Sequence, residues 1–499
     1  MACRCHHPRL AGPPPISRRE MLRQAGFGFG AWALLDLLTR EGRLKAAPAA
    51  APENPLAARP AHFPARAKHV IFLFMQGGPS HIDTFDPKPI LDKLHGQPLP
   101  PRVTQGLQLQ FTKMDAAILG SPQTFRKCGQ SGLEIADTYP HLQTCADDLA
   151  IVRSCYHDSF NHAPAQYMLN TGSARMGHPC MGSWVTYGLG SESENLPGFV
   201  VMATTGDVKG GPPVYGHGFL PGTFEPTVLR NAGSPVLYLD PQGNHSGQGQ
   251  RDVLDMVQWL NREHLAAHGH DVDDLSSRIA SYELAFRMQS AVPDAVDLSQ
   301  ETQATKDLYG LDDRTAAKFG TDCLIARRLV ERGVRFVQIF TGSGGADDWD
   351  AAHAENDKTH REMARRVDQP IAGLLKDLKA RGLLDETLVI WGGEFGRTPV
   401  ADGRYPDKRA GRDHNPYGFT TWLAGGGIKG GKVIGATDEF GLRAIEDRVH
   451  ISDLHATILK LLGLDHRELT FLFQGREQRL TDVGGDHEFA DRLLGRDST

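Results

Sequence analysis

Three runs of the 499-residue chain constrain its fold more than any other feature: Lys68–Met75 (KHVIFLFM), Val334–Phe340 (VRFVQIF) and Thr387–Trp391 (TLVIW). A strand with one wet face alternates apolar and polar residues. A nearly continuous β-branched and aromatic run instead marks a strand buried on both faces, as in a parallel sheet covered by helices. Each run opens into a loop of glycines and polar groups: Gln76 to Pro87, Thr341 to His353, and Gly392 to Pro399. In open α/β sheets ligands gather outside the carboxyl ends of the strands, so these loops are where function is sought. Helical spacing lies between them. Asp322–Arg332 precedes the second run, and Thr359–Arg381 carries Met363, Val367, Ile371, Leu374, Leu375 and Leu378 before Gly382 stops it. Pro370 is expected to kink or restart that helix. Asp252–Met288 reads as further helices, residues 190–250 as irregular Gly/Pro-rich loops able to shape a substrate mouth, and Val449–Leu464 as an amphipathic packing helix. The class is α/β, a mostly parallel central sheet sandwiched by helices.

Composition narrows the function classes. The 54 Lys and Arg stand against 60 Asp and Glu, a net charge of −6, which leaves no basic excess for nucleic acid. Glycines and prolines are scattered without period, and no repeat of about 20 to 50 residues recurs. Ser17-Arg18-Arg19-Glu20-Met21-Leu22-Arg23, the short Gly-rich apolar run that follows, and the small-residue stretch around Ala47-Pro48-Ala49 resemble a twin-arginine export signal. The apolar run is about ten residues and too short to span ~30 Å of hydrocarbon, so no transmembrane span is expected in the mature chain. Residues 1–50 are therefore assigned to signal and Ala/Pro linker, residues 66–490 to one domain, and the destination to the periplasm or cell envelope. The seven cysteines form no metal-type pairs, and removing Cys3 and Cys5 with the signal leaves five, at least one unpaired.

The chemistry rests on acids and histidines at the expected strand ends. Asp350 and His353 stand three apart, on one face of a helical turn, and Asp413-His414 lies in a second loop. Carboxylate plus imidazole suits zinc, manganese or iron. Arg397, three residues after Glu394, is a candidate for gripping an anion with its planar fork, or for a salt bridge to Glu394 or a nearby Asp. His81 and Asp83 either join the same pocket or order the Gly-rich turn.

Longer matches give a resemblance. Asp348 to His353 (DWDAAH), Gly393 to Pro399 (GEFGRTP), Gly411 to Pro416 (GRDHNP), Leu423 to Gly431 (LAGGGIKGG) and Asp453 to Leu464 (DLHATILKLLGL) resemble the bacterial family DUF1501 over nearly the whole chain after the signal. That family in turn resembles the alkaline phosphatase and sulfatase superfamily, which implies an alkaline-phosphatase-like fold with metal loops at strand ends. The resemblance transfers in part. An Asp-His ligand pair of the superfamily falls on Glu394 and Phe395, and a ligand Asp of the first strand falls on Gln76, with Asp83 and Asp86 only further along. One metal position is thereby weakened, and the other resembles Asp350 or Asp348 with His353 and His414; Asp350, His353, His414 and Glu394 are taken as its expected ligands. One divalent ion is expected: zinc, manganese, iron or calcium. The superfamily's nucleophile falls near His162, in a run from Ser159 to Gly172 that lacks the sulfatase Cys/Ser-x-Pro-x-Arg pattern. Formylglycine chemistry is therefore not expected. His162 is open to use as general base, phosphoryl acceptor, metal ligand or structural loop residue. His157 and His178 are weaker candidates.

The resulting expectation is an exported, metal-dependent hydrolase acting on sulfate or phosphate esters, with His162 and Arg397 in catalysis. Its ligand would be an anionic small molecule or a sulfated or phosphorylated glycan. The alternative is a non-catalytic descendant that binds an anionic glycan or a partner protein.

Overall fold

The computed structural model describes residues 55–496 except 108–115, 205, 231–234, 237–246, 269–271, 343–347, 403–409 and 483. The expected export signal, residues 1–50, lies outside these.

Strand β1 (His69–Met75) explains why the apolar runs become strands. Its side chains alternate between two cores: Ile71, Leu73 and Met75 enter one, Val70, Phe72 and Phe74 the other. Strands β2 (Leu149–Tyr156), β3 (Phe199–Ala203), β4 (Thr227–Leu229), β5 (Phe336–Thr341) and β6 (Thr387–Gly392) join it. A separate antiparallel ribbon follows, β7 (Gly396–Asp402) with β8 (Gly411–Asn415), and then β9 (Phe419–Gly425), β10 (Lys432–Ile434) and β11 (Val449–His450) return to the sheet. The order is β10-β2-β9-β6-β1-β5-β3-β4, with β11 also on β2. Only β9 runs antiparallel to its neighbours. The sheet is mostly parallel, as expected.

Helices cover both faces, completing the α/β sandwich. On one face lie α5 (Ala317–Glu331) and α6 (Asn356–Ala380); on the other lie α1 (His162–Thr171), α2 (Met181–Leu189) and α7 (Ile451–Leu461), while α3 (Gly247–His268) and α4 (Val272–Val296) form the expected additional helices. Contrary to expectation, α6 runs unbroken through Pro370. Met363 and Val367 before the proline and Ile371, Leu374 and Leu378 after it are all buried. At about 1.5–3 kcal/mol for each fully buried side chain, that face outweighs the ~3 kcal/mol cost of an interior proline. Residues 190–250 are also less irregular than expected, since β3 is a buried strand within them. In α7, His450 caps the helix and His455 Nε2 donates to the Leu169 carbonyl at 2.8 Å, so both are structural. Cys128, Cys145, Cys155, Cys180 and Cys323 are buried free thiols. No helix among the described residues is long and apolar enough to cross a membrane.

Register sets the functional edge. Met75 pairs with Thr341, Phe74 with Gly392 and Ala203 with Phe340, so Gln76, Gly342, Gly393 and Thr204 emerge at one level.

Candidate metal centre at the strand ends

The loops leaving β1, β2, β3, β5 and β6 converge. After β1 the chain turns at Gly77, whose φ of +105° suits glycine and whose missing side chain leaves room for the backbone amide of Asp350. The turn hands out its polar groups in two directions. Its N–H donates to both Glu394 oxygens, at 2.9 and 3.1 Å, and its carbonyl accepts from Arg397. After β5, Asp348 caps the 3-10 turn Trp349–His353 by accepting from the Asp350 N–H at 2.9 Å, which points Asp350 and His353 into the mouth. A bulge between Arg412 and His414 in β8 directs His414 to the same place.

Three histidines meet there in the same tautomer. His162 Nδ1 bonds Glu394 Oε1 at 2.7 Å, His353 Nδ1 bonds Asp402 Oδ2 at 2.6 Å, and His414 Nδ1 bonds the Phe160 carbonyl at 2.8 Å. Each Nδ1 therefore carries the proton for an acceptor behind it and presents the Nε2 lone pair forward, as outer carboxylates and carbonyls do for metal-ligating histidines. The Nε2 atoms of His162, His414 and His353 lie 2.9, 3.1 and 3.4 Å from Asp350 Oδ1. Those of His353 and His414 face each other at 2.8 Å. Two lone pairs so placed repel unless a cation, proton or metal, stands between them, so the donor set fits a metal ion. His162, Asp350 and His414 form one group able to hold it, and His353, Asp413 and His414 another.

Charge follows the same geometry. Burial works against ionising Asp350, but the close approach of His162 and His414 and the Arg397 charge outweigh it and hold the carboxyl far below the usual carboxylate range. Burial likewise opposes charge on His162, yet Asp350 and Glu394 raise its pKa above the ordinary value. His414, desolvated and facing Arg397 and the other imidazoles, is pushed down to about 2 and stays neutral. Phe395 packs against the His414 and His162 rings at centroid distances of 4.2 and 5.1 Å, forming a dry wall. Asp350 and His162 remain partly open, at 27% and 17% side-chain exposure.

Two expected roles change. Glu394 is fully buried behind His162, occupied by Gly77, His162 Nδ1 and Gln166, so it orients His162, which takes its place in the donor group. Arg397 is also fully buried: its guanidinium donates to the carbonyls of Gly78, Arg412, Gly77 and Trp349 and to Asp350 at 3.1 Å. An anion from solvent does not reach it, and the salt-bridge alternative describes it. Among the described residues the accessible cation beside the donors is Lys209, whose Nζ lies 2.8 Å from Asp350, 3.0 Å from Asp348 and 3.4 Å from His162. Neither Lys209 nor Asp402 carries a sequence signal; Lys209 sits in a Gly/Pro-rich loop and is placed by long-range bonds. Gln76 Oε1 accepts its N–H at 2.8 Å, and Gln166 Oε1 accepts the N–H of Gly210 at 2.8 Å. Gln76 is thus a buckle outside the donor group. Asp83 and His81 lie elsewhere, paired with Arg412 and the Gly441 carbonyl, and Asp86 pairs with Lys88. His157 braces the Glu394 carbonyl at 2.5 Å, while His178 packs on Phe219.

Comparison with known proteins identifies the chain's relatives. The family described as "Protein of unknown function (DUF1501)" matches residues 67–491. No curated protein matches. Among solved structures the chain is similar to the lipoteichoic acid synthase LtaP from Listeria monocytogenes, at 10% identity over 86% of this chain and 78% of that one with a TM-score of 0.35. It is also similar to the PsFucS1 sulfatase from Pseudoalteromonas sp., at 13% over 85% and 73% with a TM-score of 0.34. A third similar structure is the alkaline phosphatase from the Antarctic bacterium TAB5, at 11% over 80% and 99% with a TM-score of 0.33.

Proposed function

The chain belongs to the DUF1501 family, and from that premise we propose that it is an exported, metal-dependent hydrolase of sulfate or phosphate esters. The observation that carries the reading is the set of three imidazoles, each fixed at Nδ1 and presenting Nε2 to the Asp350 carboxylate in a partly open mouth. His162, Asp350, His353 and His414 would hold the ion. Three nitrogen donors suit zinc, manganese or iron and argue against calcium, which takes oxygen ligands. When bound, the metal supplies Lewis acidity toward an ester oxygen. The chain's own residues do the rest. Lys209 offers its ammonium to the anionic ester, Glu394 and Asp402 hold His162 and His353 in orientation, and Phe395 keeps water from one side of the donors. Both nitrogens of His162 are engaged, which favours attack by water over transfer to His162. Export is supported by the Arg18-Arg19 segment and the Gly-rich run behind it.

The test begins with elemental mass spectrometry on protein purified without chelator or affinity histidines. About one equivalent of metal is expected, falling to near zero in His414→Ala, together with turnover of an aryl sulfate or aryl phosphate that chelation abolishes. Folded protein that cannot be loaded with metal would overturn the reading in favour of non-catalytic binding of an anionic glycan.

A further inference from the structure

Helix α1 starts at His162 and carries Gln166 one turn on, on the same face. That face is polar although it is buried. Gln166 and Asn170 both lie inside, where apolar side chains ordinarily pack, and a buried amide is costly unless its hydrogen bonds are made. Asn170 makes its bonds within the scaffold: its Oδ1 accepts from Gln338 of β5 at 2.6 Å and its Nδ2 donates to the Gln166 carbonyl at 2.7 Å, which clamps α1 to the sheet. The Gln166 side chain turns instead to the metal centre. Its Nε2 donates to Gln76 Oε1 at 3.4 Å and to Glu394 Oε1 at 3.2 Å, the oxygen that also accepts from His162 Nδ1 at 2.7 Å. Its Oε1 accepts the Gly210 N–H at 2.8 Å.

These partners allow the amide one orientation only. A backbone N–H can only donate and an ionised carboxylate only accept, so reversing the amide would break the bond at each end. The Gly210 peptide is held on its other side as well, because the next residue of α1, Tyr167, donates its hydroxyl to the Gly210 carbonyl at 2.6 Å. Glycine permits that approach, since a side chain there would collide with Val214 and crowd Gln166 Oε1. The residue before it is Lys209, whose own N–H goes to Gln76 Oε1 at 2.8 Å. One helix thus carries the His162 imidazole at its start and grips the loop of the Lys209 ammonium one turn later, although the two residues are 47 apart in sequence.

We infer that Gln166 is a positioning residue that sets the register between His162 and Lys209. Its amino end holds the carboxylate behind the imidazole, and its carbonyl end holds the loop that delivers the ammonium. What the two groups do in register, one as metal ligand and one toward an anionic ester, rests on the ester-hydrolase reading; the register itself does not.

The test uses the full-length protein and needs no turnover. Gln166→Met removes both ends of the amide at nearly constant volume, and Tyr167→Phe removes only the second grip on Gly210. In the metal-free protein, hydrogen exchange at the Lys209 and Gly210 amides should run about ten-fold faster in Gln166→Met, while β1 and β5 keep wild-type rates. Competition against a chromogenic chelator should show zinc held about ten-fold more weakly in Gln166→Met and as tightly as in the wild type in Tyr167→Phe. That loss should vanish when Gln166→Met is added to His162→Ala, because it runs through the imidazole. A loss of the same size in that background, or in Tyr167→Phe, would mean general loosening of α1 and overturn the inference. Unchanged exchange or unchanged zinc affinity in Gln166→Met, with zinc bound by the wild type, overturns it too and leaves the ester-hydrolase reading standing. A wild-type chain that takes up no zinc overturns that reading instead; faster exchange confined to Lys209 and Gly210 then supports the register, and unchanged exchange overturns it.

Discussion

Asp83 and Asp350 are carboxylates at the same sheet edge, both held below the usual carboxylate range, yet their surroundings differ in kind. Asp83 is fully buried and saturated with fixed donors: Arg412 at 2.8 and 3.2 Å, Ser80 at 2.5 Å, Ser121 at 2.7 Å and Asn356 at 3.0 Å. Asp350 is partly open: Lys209 and Arg397 donate to it at 2.8 and 3.1 Å, and three imidazole Nε2 atoms crowd its Oδ1. Around Asp83 every acceptor has its proton, and the arrangement has nothing left to bind. Around Asp350 acceptors outnumber fixed protons, and the arrangement is completed by a cation. The comparison teaches that a low carboxylate pKa does not mark function; an excess of oriented lone pairs does.

The largest expected effect breaks the saturated side. Asp83→Asn leaves the Arg412 charge buried without its partner and should cost about 3–5 kcal/mol in urea unfolding, while the folded fraction keeps its metal. The pH dependence has a definite sign. A carboxyl whose folded pKa is depressed contributes stability above its unfolded value, about 3.9, and loses it as pH falls toward the folded value, so the acid limb below about pH 4 should flatten in the variant. A cost below about 1 kcal/mol would show that Asp83 is no structural anchor.

A smaller effect sharpens the open side. Asp402→Asn removes the carboxylate that fixes the His353 proton on Nδ1, and should weaken metal affinity about 10- to 100-fold while changing urea stability of the metal-free protein little. Competition against a chromogenic chelator reads the affinity directly. Equal affinity in both proteins would mean that His353 is oriented by something else, or is no ligand.

How much of this was legible follows the same division. The three apolar runs identified β1, β5 and β6, because a strand buried on both faces leaves its mark in consecutive residues. Strand β3 escaped, since its five residues lie among glycines and prolines that dominate a local reading. Asp350, His353 and His414 could be named from short motifs. Their partners could not, because Asp402 and Phe160 act on them from 49 and 254 residues away. Arg397 and Glu394 were legible as chemistry but not as exposure: a guanidinium surrounded by carbonyls and one surrounded by solvent have the same sequence. Lys209 was illegible altogether, being placed by the amides of Gln76 and Gln166 across the sheet edge.

Asp322 supplies the third case. It is as buried as Asp83 and accepts the Thr204 hydroxyl, but here burial prevails and its pKa is pushed up to about 7. Its sign is therefore opposite. Between about pH 4 and pH 7 the folded chain holds a proton here that the unfolded chain has lost, and stability falls with rising pH by up to about 1.4 kcal/mol per unit. Asn at this position accepts the same hydroxyl and carries no charge, so Asp322→Asn should remove that slope, leaving the variant the more stable of the two at pH 8 and nearly equal at pH 4. Urea midpoints at the two pH values measure it. Parallel profiles for the two proteins would mean that Asp322 is ionised in the folded chain, and the contrast with Asp83 would then rest on hydrogen bonding and not on charge.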